Sequence, residues 1–210
     1  MKLAIFGSTG KVGLQLVKQA IALGHQVTAH TRHPEKLTQI DQENLRIEKG
    51  DVLDIVSVQN AIRRQDVIIC ALGMPLMNKD GLRTKGTKNI IEAMESTGVK
   101  RLVCLSGLGT GESFSTLPFH YRHLIFPFVL KHVLADHETQ EIRVKESDLD
   151  WTIARPANFA KGSHTGAYQH GFSRVDQSLK LKISPADVAD FMLKQVSDNT
   201  YLHQTPALSY

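Results

Sequence analysis

Apolar positions along this chain alternate between two rhythms. Short runs rich in β-branched residues (Leu3–Phe6, Gln26–His30, Leu45–Glu48, Val67–Ala71, Leu102–Leu105 and Trp151–Ala154) predict buried strands. Between them lie stretches of helical period: Val12–Ala22, a short one from Pro34, Val56–Ile62, Thr87–Thr97 and Asp136–Glu146. The first repeats Val12, Leu14, Leu16, Val17, Ala20 and Ile21, with Lys and Gln opposite. Ser184-Pro185-Ala186-Asp187 has a capping serine, a proline at the first helical position and an acid in the first turn. It predicts a last helix, Asp187–Val196, and residues 202–208 predict a final strand. Strict alternation of strand and helix implies an α/β fold, a doubly wound parallel sheet with helices on both faces. No repeat, low-complexity tract or linker interrupts it, so residues 1–210 are expected to form a single domain.

Between the first strand and the first helix stands GSTGKVG, Gly7 to Gly13. A strand that turns sharply into a helix leaves free N–H groups and the positive end of the helix dipole at the turn, which suits a pyrophosphate. Gly7 permits the turn, Gly10 removes a side chain from the path of the phosphates, and Gly13 lets helix and strand pack closely. With the strand before and the helix after, this spacing predicts a Rossmann-like dinucleotide site contacted by Gly7, Ser8, Thr9, Gly10, Lys11, Val12 and Gly13. At the end of the second strand, where an NAD site usually carries an acid, the chain reads Thr31-Arg32-His33 and then Lys36. Two cations there suit a 2′-phosphate, so Arg32 and Lys36 point to NADP(H); the other reading is a solvated basic loop. Asp51 and Val52 are expected beside the adenine, and Ala71, Leu72 and Gly73 along the nicotinamide half.

Composition narrows the partners. The net charge is +4 with Lys and Arg scattered, and no basic stripe carries stacking aromatics, which argues against nucleic acid. No stretch approaches a membrane span, and no signal-peptide pattern opens the chain. Cys70 and Cys104 both sit in apolar runs, consistent with reduced thiols and a cytoplasmic protein. His120, His123 and His132 lack carboxylate or cysteine partners at ligand spacing, so no metal is expected.

The segments LAIFGSTGKVGL, VTAHTRHPEKL, GDVLD, GTKNIIEAM, LVCLSG, TGAY and SPADVADFML, in this order, resemble the NmrA-like branch of the short-chain dehydrogenase/reductase superfamily. The chain is most similar there to the flavin reductases that also act as biliverdin-IXβ reductases. The resemblance spans nearly the whole chain and implies NADPH as reductant, with a shallow acceptor pocket over the nicotinamide. It implies Ser106 as the active-site serine, also near the cofactor, and His137 near the acceptor, with Cys104 matching a family cysteine. Pro156 joins the implied cofactor contacts, and Met74, Asn158 and Phe159 the implied acceptor contacts. Segments 107–135 and 157–183 become candidate pocket walls, the latter a small C-terminal part covering the acceptor. The biliverdin-reducing members carry a histidine where this chain has Asn158; an amide cannot change charge, so flavin or quinone reduction is less affected than tetrapyrrole reduction.

The residues restrict the chemistry further. Tyr121, Tyr168 and Tyr201 are followed four places later by Ile125, Phe172 and Thr205, so the Tyr-x-x-x-Lys acid of ordinary ketone reduction is absent. Hydride transfer to an electron-poor conjugated acceptor needs no such acid, and free FMN or riboflavin is a candidate acceptor. Phe119–Leu134, with Tyr121, Phe126 and Phe128, reads as a wall or lid for a flat ligand, a buried helix, or a self-association surface. The rival function is a non-catalytic NADP(H) sensor that holds a protein partner; a sugar-nucleotide epimerase is disfavoured by the missing tyrosine motif.

Overall fold

The computed structural model describes residues 1–40, 43–73, 81–119, 122, 131–176 and 178–210. Among the described residues, five α-helices and the strands between them follow the alternating pattern: β1 (Lys2–Phe6), α1 (Lys11–Ala22), β2 (Gln26–Thr31), β3 (Leu45–Lys49), α2 (Ile55–Ile62) and β4 (Val67–Cys70). Then come α3 (Leu82–Thr97), β5 (Arg101–Leu105), α4 (Lys131–Lys145), β6 (Asp150–Pro156), the two-residue strands β7 (Asn158–Phe159), β8 (Gln169–His170) and β9 (Lys182–Ile183), α5 (Pro185–Lys194) and β10 (Ala207–Ser209). The main sheet runs β3-β2-β1-β4-β5-β6-β10-β8, parallel except where β8 meets β10 antiparallel. This is a Rossmann-like order, with the chain reversing direction across the sheet between β1 and β4.

Strand pleating divides the core in two. Leu3 and Ile5 of β1 enter one apolar cluster with Leu16 and Val17 of α1 and Phe191 of α5. Ala4 and Phe6 enter the other, with Val58 of α2, Met94 of α3 and Val144 of α4. A strand covered on both faces must be apolar at every position, which is why these strands appear in the sequence as unbroken runs.

Three differences from the sequence pattern have physical causes. α3 starts at Leu82 rather than Thr87, because the Asp136 carboxylate of α4 accepts from Arg83 N (3.3 Å) and Thr84 N (3.1 Å) and so caps it from a distance. The last strand is only Ala207–Ser209, within and just beyond the expected stretch. β7 and β9 form a separate two-stranded parallel ladder too short to leave a periodic signature.

The TGAY segment has a structural role here. Asp187 in the first turn of α5 accepts from Thr165 N (2.8 Å), Gly166 N (2.9 Å) and the Tyr210 hydroxyl. Burial would raise this carboxyl, but hydrogen bonds from Tyr210, Thr165 and Gly166 hold it at about 2. Among the described residues no helix is long and apolar enough to cross a membrane, and no cluster of His, Cys, Asp or Glu could hold a metal ion.

Candidate cofactor and acceptor site

Loops at the C-terminal ends of β1 to β4 enclose a cleft of about 350 Å³. Its floor is the glycine turn. Gly7 has φ +79°, a left-handed conformation, and a Cβ there would strike the Ala71 carbonyl; a Cβ on Gly13 would strike the Gly7 carbonyl. Gly13 therefore lets α1 seat directly on the turn, and Gly7 lets the turn pass against the end of β4. Gly10 is the N-cap of α1, with no capping side chain and no acid in the first turn. The N–H groups that begin α1 are left for a ligand anion.

One wall is the end of β2, where His30, Thr31, Arg32 and Lys36 line the cleft. Arg32 and Lys36 are exposed, and no carboxylate lines the cleft among the described residues. Ser8 is fully buried, and its hydroxyl donates to the His30 carbonyl at 3.0 Å, tying the turn to β2. The His30 ring shares a 2.9 Å hydrogen bond with Ser57 and stacks at 4.8 Å on Phe6, and burial lowers its pKa. A Cβ on Gly50 would strike His30 and Ser57, so that glycine leaves room for their hydrogen bond. Thr9, His33, Val52, Leu72, Gly73 and Leu82 complete the described lining.

Beyond the cleft, at the next strand along, stands Ser106. It follows β5 directly, and its N–H donates to the Ala154 carbonyl at 2.8 Å. Its hydroxyl donates to Glu141 Oε1 at 2.7 Å, and Glu141 in turn pairs with Arg155. Burial alone would push the Glu141 carboxyl up; the hydrogen bonds and charge of Arg155, with help from Ser106 and Lys145, bring it below its ordinary value. The His137 ring lies beside Gly107, 3.8 Å from where a Cβ would stand. It is buried, and Nδ1 meets Gln140 Oε1 at 3.4 Å. Burial, and then the charge of Arg83, hold His137 down at about 4, so it is neutral at pH 7 and has no imidazolium proton to give. Gln140 continues to Thr87 at 2.9 Å, and Arg83 faces Asp136 at 3.5 Å, so α3 and α4 meet through a buried polar seam.

The residues expected from the sequence thus fall into distinct places. Gly7, Thr9, Gly10, Arg32, Lys36, Val52, Leu72 and Gly73 line the cleft together. Ser8, Val12, Gly13 and Ala71 are buried behind it, and Lys11 is exposed outside the lining. Asp51 also stands outside the lining and accepts from Leu53 N at 3.0 Å, closing a local turn. Ser106 and His137 gather one strand further on. Pro156 is buried at the end of β6, its carbonyl accepting from Leu108 N at 2.9 Å. Asn158 and Phe159 are exposed on β7, in register with Lys182 and Ile183. Met74, and His120, Tyr121, His123, Phe126 and Phe128 of the aromatic segment, lie outside the described residues.

Sequence reasoning passed over His30, Glu141 and Arg155. The available signal was Arg155 itself, a cation inside the apolar strand run WTIARP, which demands a buried acid somewhere.

With this geometry in view, comparisons with known proteins bear on the family and the fold. A family model described as NAD(P)H-binding matches residues 7–199. An uncharacterised protein, YwnB, of Bacillus subtilis is 27% identical over 207 residues, covering 93% of this chain and 92% of its own. Among solved structures, the fold is shared with ChuY of Escherichia coli O157:H7, named an anaerobilin reductase (TM-score 0.80, 24% identity, 99% of this chain and 96% of that one). It is also shared with a short-chain dehydrogenase/reductase of Veillonella parvula in complex with NADP (TM-score 0.81, 16% identity, 100% and 94%).

Proposed function

Because the chain belongs to the NAD(P)H-binding family, we propose that it is a cytoplasmic NADPH-dependent reductase that delivers hydride to a flavin, a quinone or a related conjugated acceptor. The observation that carries this reading is the cleft: an uncapped helix N-terminus for the pyrophosphate, and Arg32 and Lys36 on a rim with no carboxylate among the described residues. A reduced nicotinamide dinucleotide held there supplies the hydride. The chain's own task is to hold that cofactor, to orient the reacting end through Ser106, and to present a surface on which an acceptor settles. His137, neutral and buried, is a shape-giving neighbour of the serine and not a cationic acid.

The missing Tyr-x-x-x-Lys motif favours acceptors whose protonation solvent can complete. The neighbours named a reductase and an NADP complex are consistent with this choice. The acceptor is a loosely held small molecule, with neither nucleic acid nor membrane as partner.

The test is NADPH oxidation followed by absorbance, with FMN, riboflavin, simple quinones and biliverdin isomers as acceptors and no added metal. Turnover above the protein-free rate is expected with at least one flavin or quinone. NADPH binding without turnover of any acceptor would replace the reductase with an NADP(H)-binding sensor.

A further inference from the structure

Glu141 is a carboxylate that the nucleotide cleft does not require. It is 2% exposed and its partner Arg155 is 1% exposed. Oε1 accepts from Ser106 Oγ at 2.7 Å and from Arg155 Nε at 2.9 Å; Oε2 accepts from Arg155 Nη2 and from Lys145 Nζ at 3.2 Å. A carboxylate has about four lone-pair directions, and here all are used. Glu141 is therefore not a general base waiting for a proton. Nor is a buried ion pair an efficient way to add stability, since well-packed apolar residues of similar volume often serve as well or better. What the arrangement does fix is the direction of one hydrogen atom.

A serine hydroxyl carries one proton and two acceptor lone pairs. With its proton committed to Glu141, Ser106 has only acceptor capacity left to offer. Arg155 anchors the carboxylate from β6 and also reaches Glu112 in the turn Gly111–Thr116, so the segment following Ser106 is tied to the same guanidinium. Ser106 itself is 4% exposed and follows β5, which pairs with β4, the strand that leads into Leu72 and Gly73 of the cleft.

We propose that Glu141, held by Arg155, is a positioning residue that fixes Ser106 as a pure hydrogen-bond acceptor, so that the group docking on Ser106 is an N–H donor. This rests on the reductase reading for its location but not for its test. Two sources of N–H are compatible with the site: the carboxamide of the nicotinamide, and the ring N–H of a flavin-like acceptor. A quinone, which has no N–H, gains nothing from Ser106.

The first arm needs no turnover. NADP and its 3-acetylpyridine analogue, which has a methyl in place of the amide nitrogen, are titrated by calorimetry into wild type, Ser106→Ala, Glu141→Gln and the double variant. If the carboxamide is the donor, wild type favours NADP by about fivefold more than Ser106→Ala does, the effect of one neutral hydrogen bond. The second arm compares KM for riboflavin and for a simple quinone in the same proteins; if the flavin is the donor, Ser106→Ala raises KM for the flavin by about fivefold and leaves the quinone unchanged. In whichever arm responds, Glu141→Gln reduces the discrimination when Ser106 is present and adds nothing in the Ser106→Ala background. Should Glu141→Gln fail to fold, Glu141→Asp keeps the charge for Arg155 and withdraws the carboxylate by one methylene, with the same expectation. Equal discrimination by wild type and Ser106→Ala in both arms overturns the proposal. So does an undiminished effect of the Glu141 change without Ser106. Absence of all turnover removes the reductase reading and leaves the first arm to decide this one.

Discussion

The two halves of the C-terminal edge of the sheet solve different problems by opposite means. At β1 to β3 the cleft is made of backbone: Gly7, Gly10 and Gly50 withhold side chains, and the cations Arg32 and Lys36 stand free in solvent. At β5 and β6 the edge is made of side chains already spent on one another, with Ser106, Glu141 and Arg155 closed into one buried set. The open half suits a ligand that brings its own charge. The closed half holds a neutral, directional hydroxyl still. On the function proposed above, affinity belongs to the first region and orientation to the second, so changes in the two should produce separable defects.

The largest expected effect is at the closed half. Glu141→Ala strands the Arg155 guanidinium without its buried partner, and should cost about 3–5 kcal/mol of stability, read as a lowered midpoint in urea. A change within 0.5 kcal/mol would mean the pair is solvated and the contrast with the cleft is false. Next comes acid. His137 has a folded-state pKa of about 4 against an ordinary 6.5, so the unfolded chain takes up the proton first. Stability is therefore full above pH 6.5 and falls progressively toward pH 4, by about 3 kcal/mol from this group. His137→Gln should flatten that slope in unfolding measured against pH. For the same reason kcat should show no inflection from this histidine near pH 6.5.

The open half responds more mildly. Arg32→Ala with Lys36→Ala should weaken NADPH by about ten- to a hundredfold, the loss of about 1.5–3 kcal/mol of charge-assisted contact, and leave NADH nearly unchanged. Titration of both nucleotides into both proteins measures it; equal wild-type affinities would reduce the pair to a solvated loop. The smallest effect is expected from Ser106→Ala: about 1 kcal/mol, or fivefold in turnover, with the preference for NADPH over NADH intact. A loss of that preference in Ser106→Ala would join the two regions into one.

The same contrast governs how much could be read from the sequence. Gly7, Gly10 and Gly13 lie within seven positions, and Arg32 and Lys36 within five, so local spacing carries the nucleotide half. The strands and their parallel sheet followed from the alternation of periods, since a strand buried on both faces cannot hide. The acceptor half depends on meetings across long separations. Ser106 and Glu141 are 35 positions apart, and Thr84 and Asp136 are 52 apart. Nothing local in HETQEIRVK distinguishes a buried glutamate from the exposed Glu138 of the same helix. The TGAY segment taught the converse lesson: the motif is recognisable by its spelling, but the hydrogen bonds from its Thr165 and Gly166 to Asp187 are not.

The packing of α5 on α1 carries a kinetic consequence. Leu16 and Val17 of the nucleotide-binding helix share one apolar cluster with Phe191 and Met192, and Gln19 Nε2 donates to the Ala186 carbonyl at 2.9 Å across 167 positions. As the chain emerges from the ribosome, the glycine turn is made well before residues 185–194, and until these appear its helix lacks the cover of α5. Closing so long a loop is slow, because its entropy must be lost before any contact rewards it. The nucleotide site is therefore finished later than its sequence position suggests, because the helix that carries it is not fully packed until α5 has been translated.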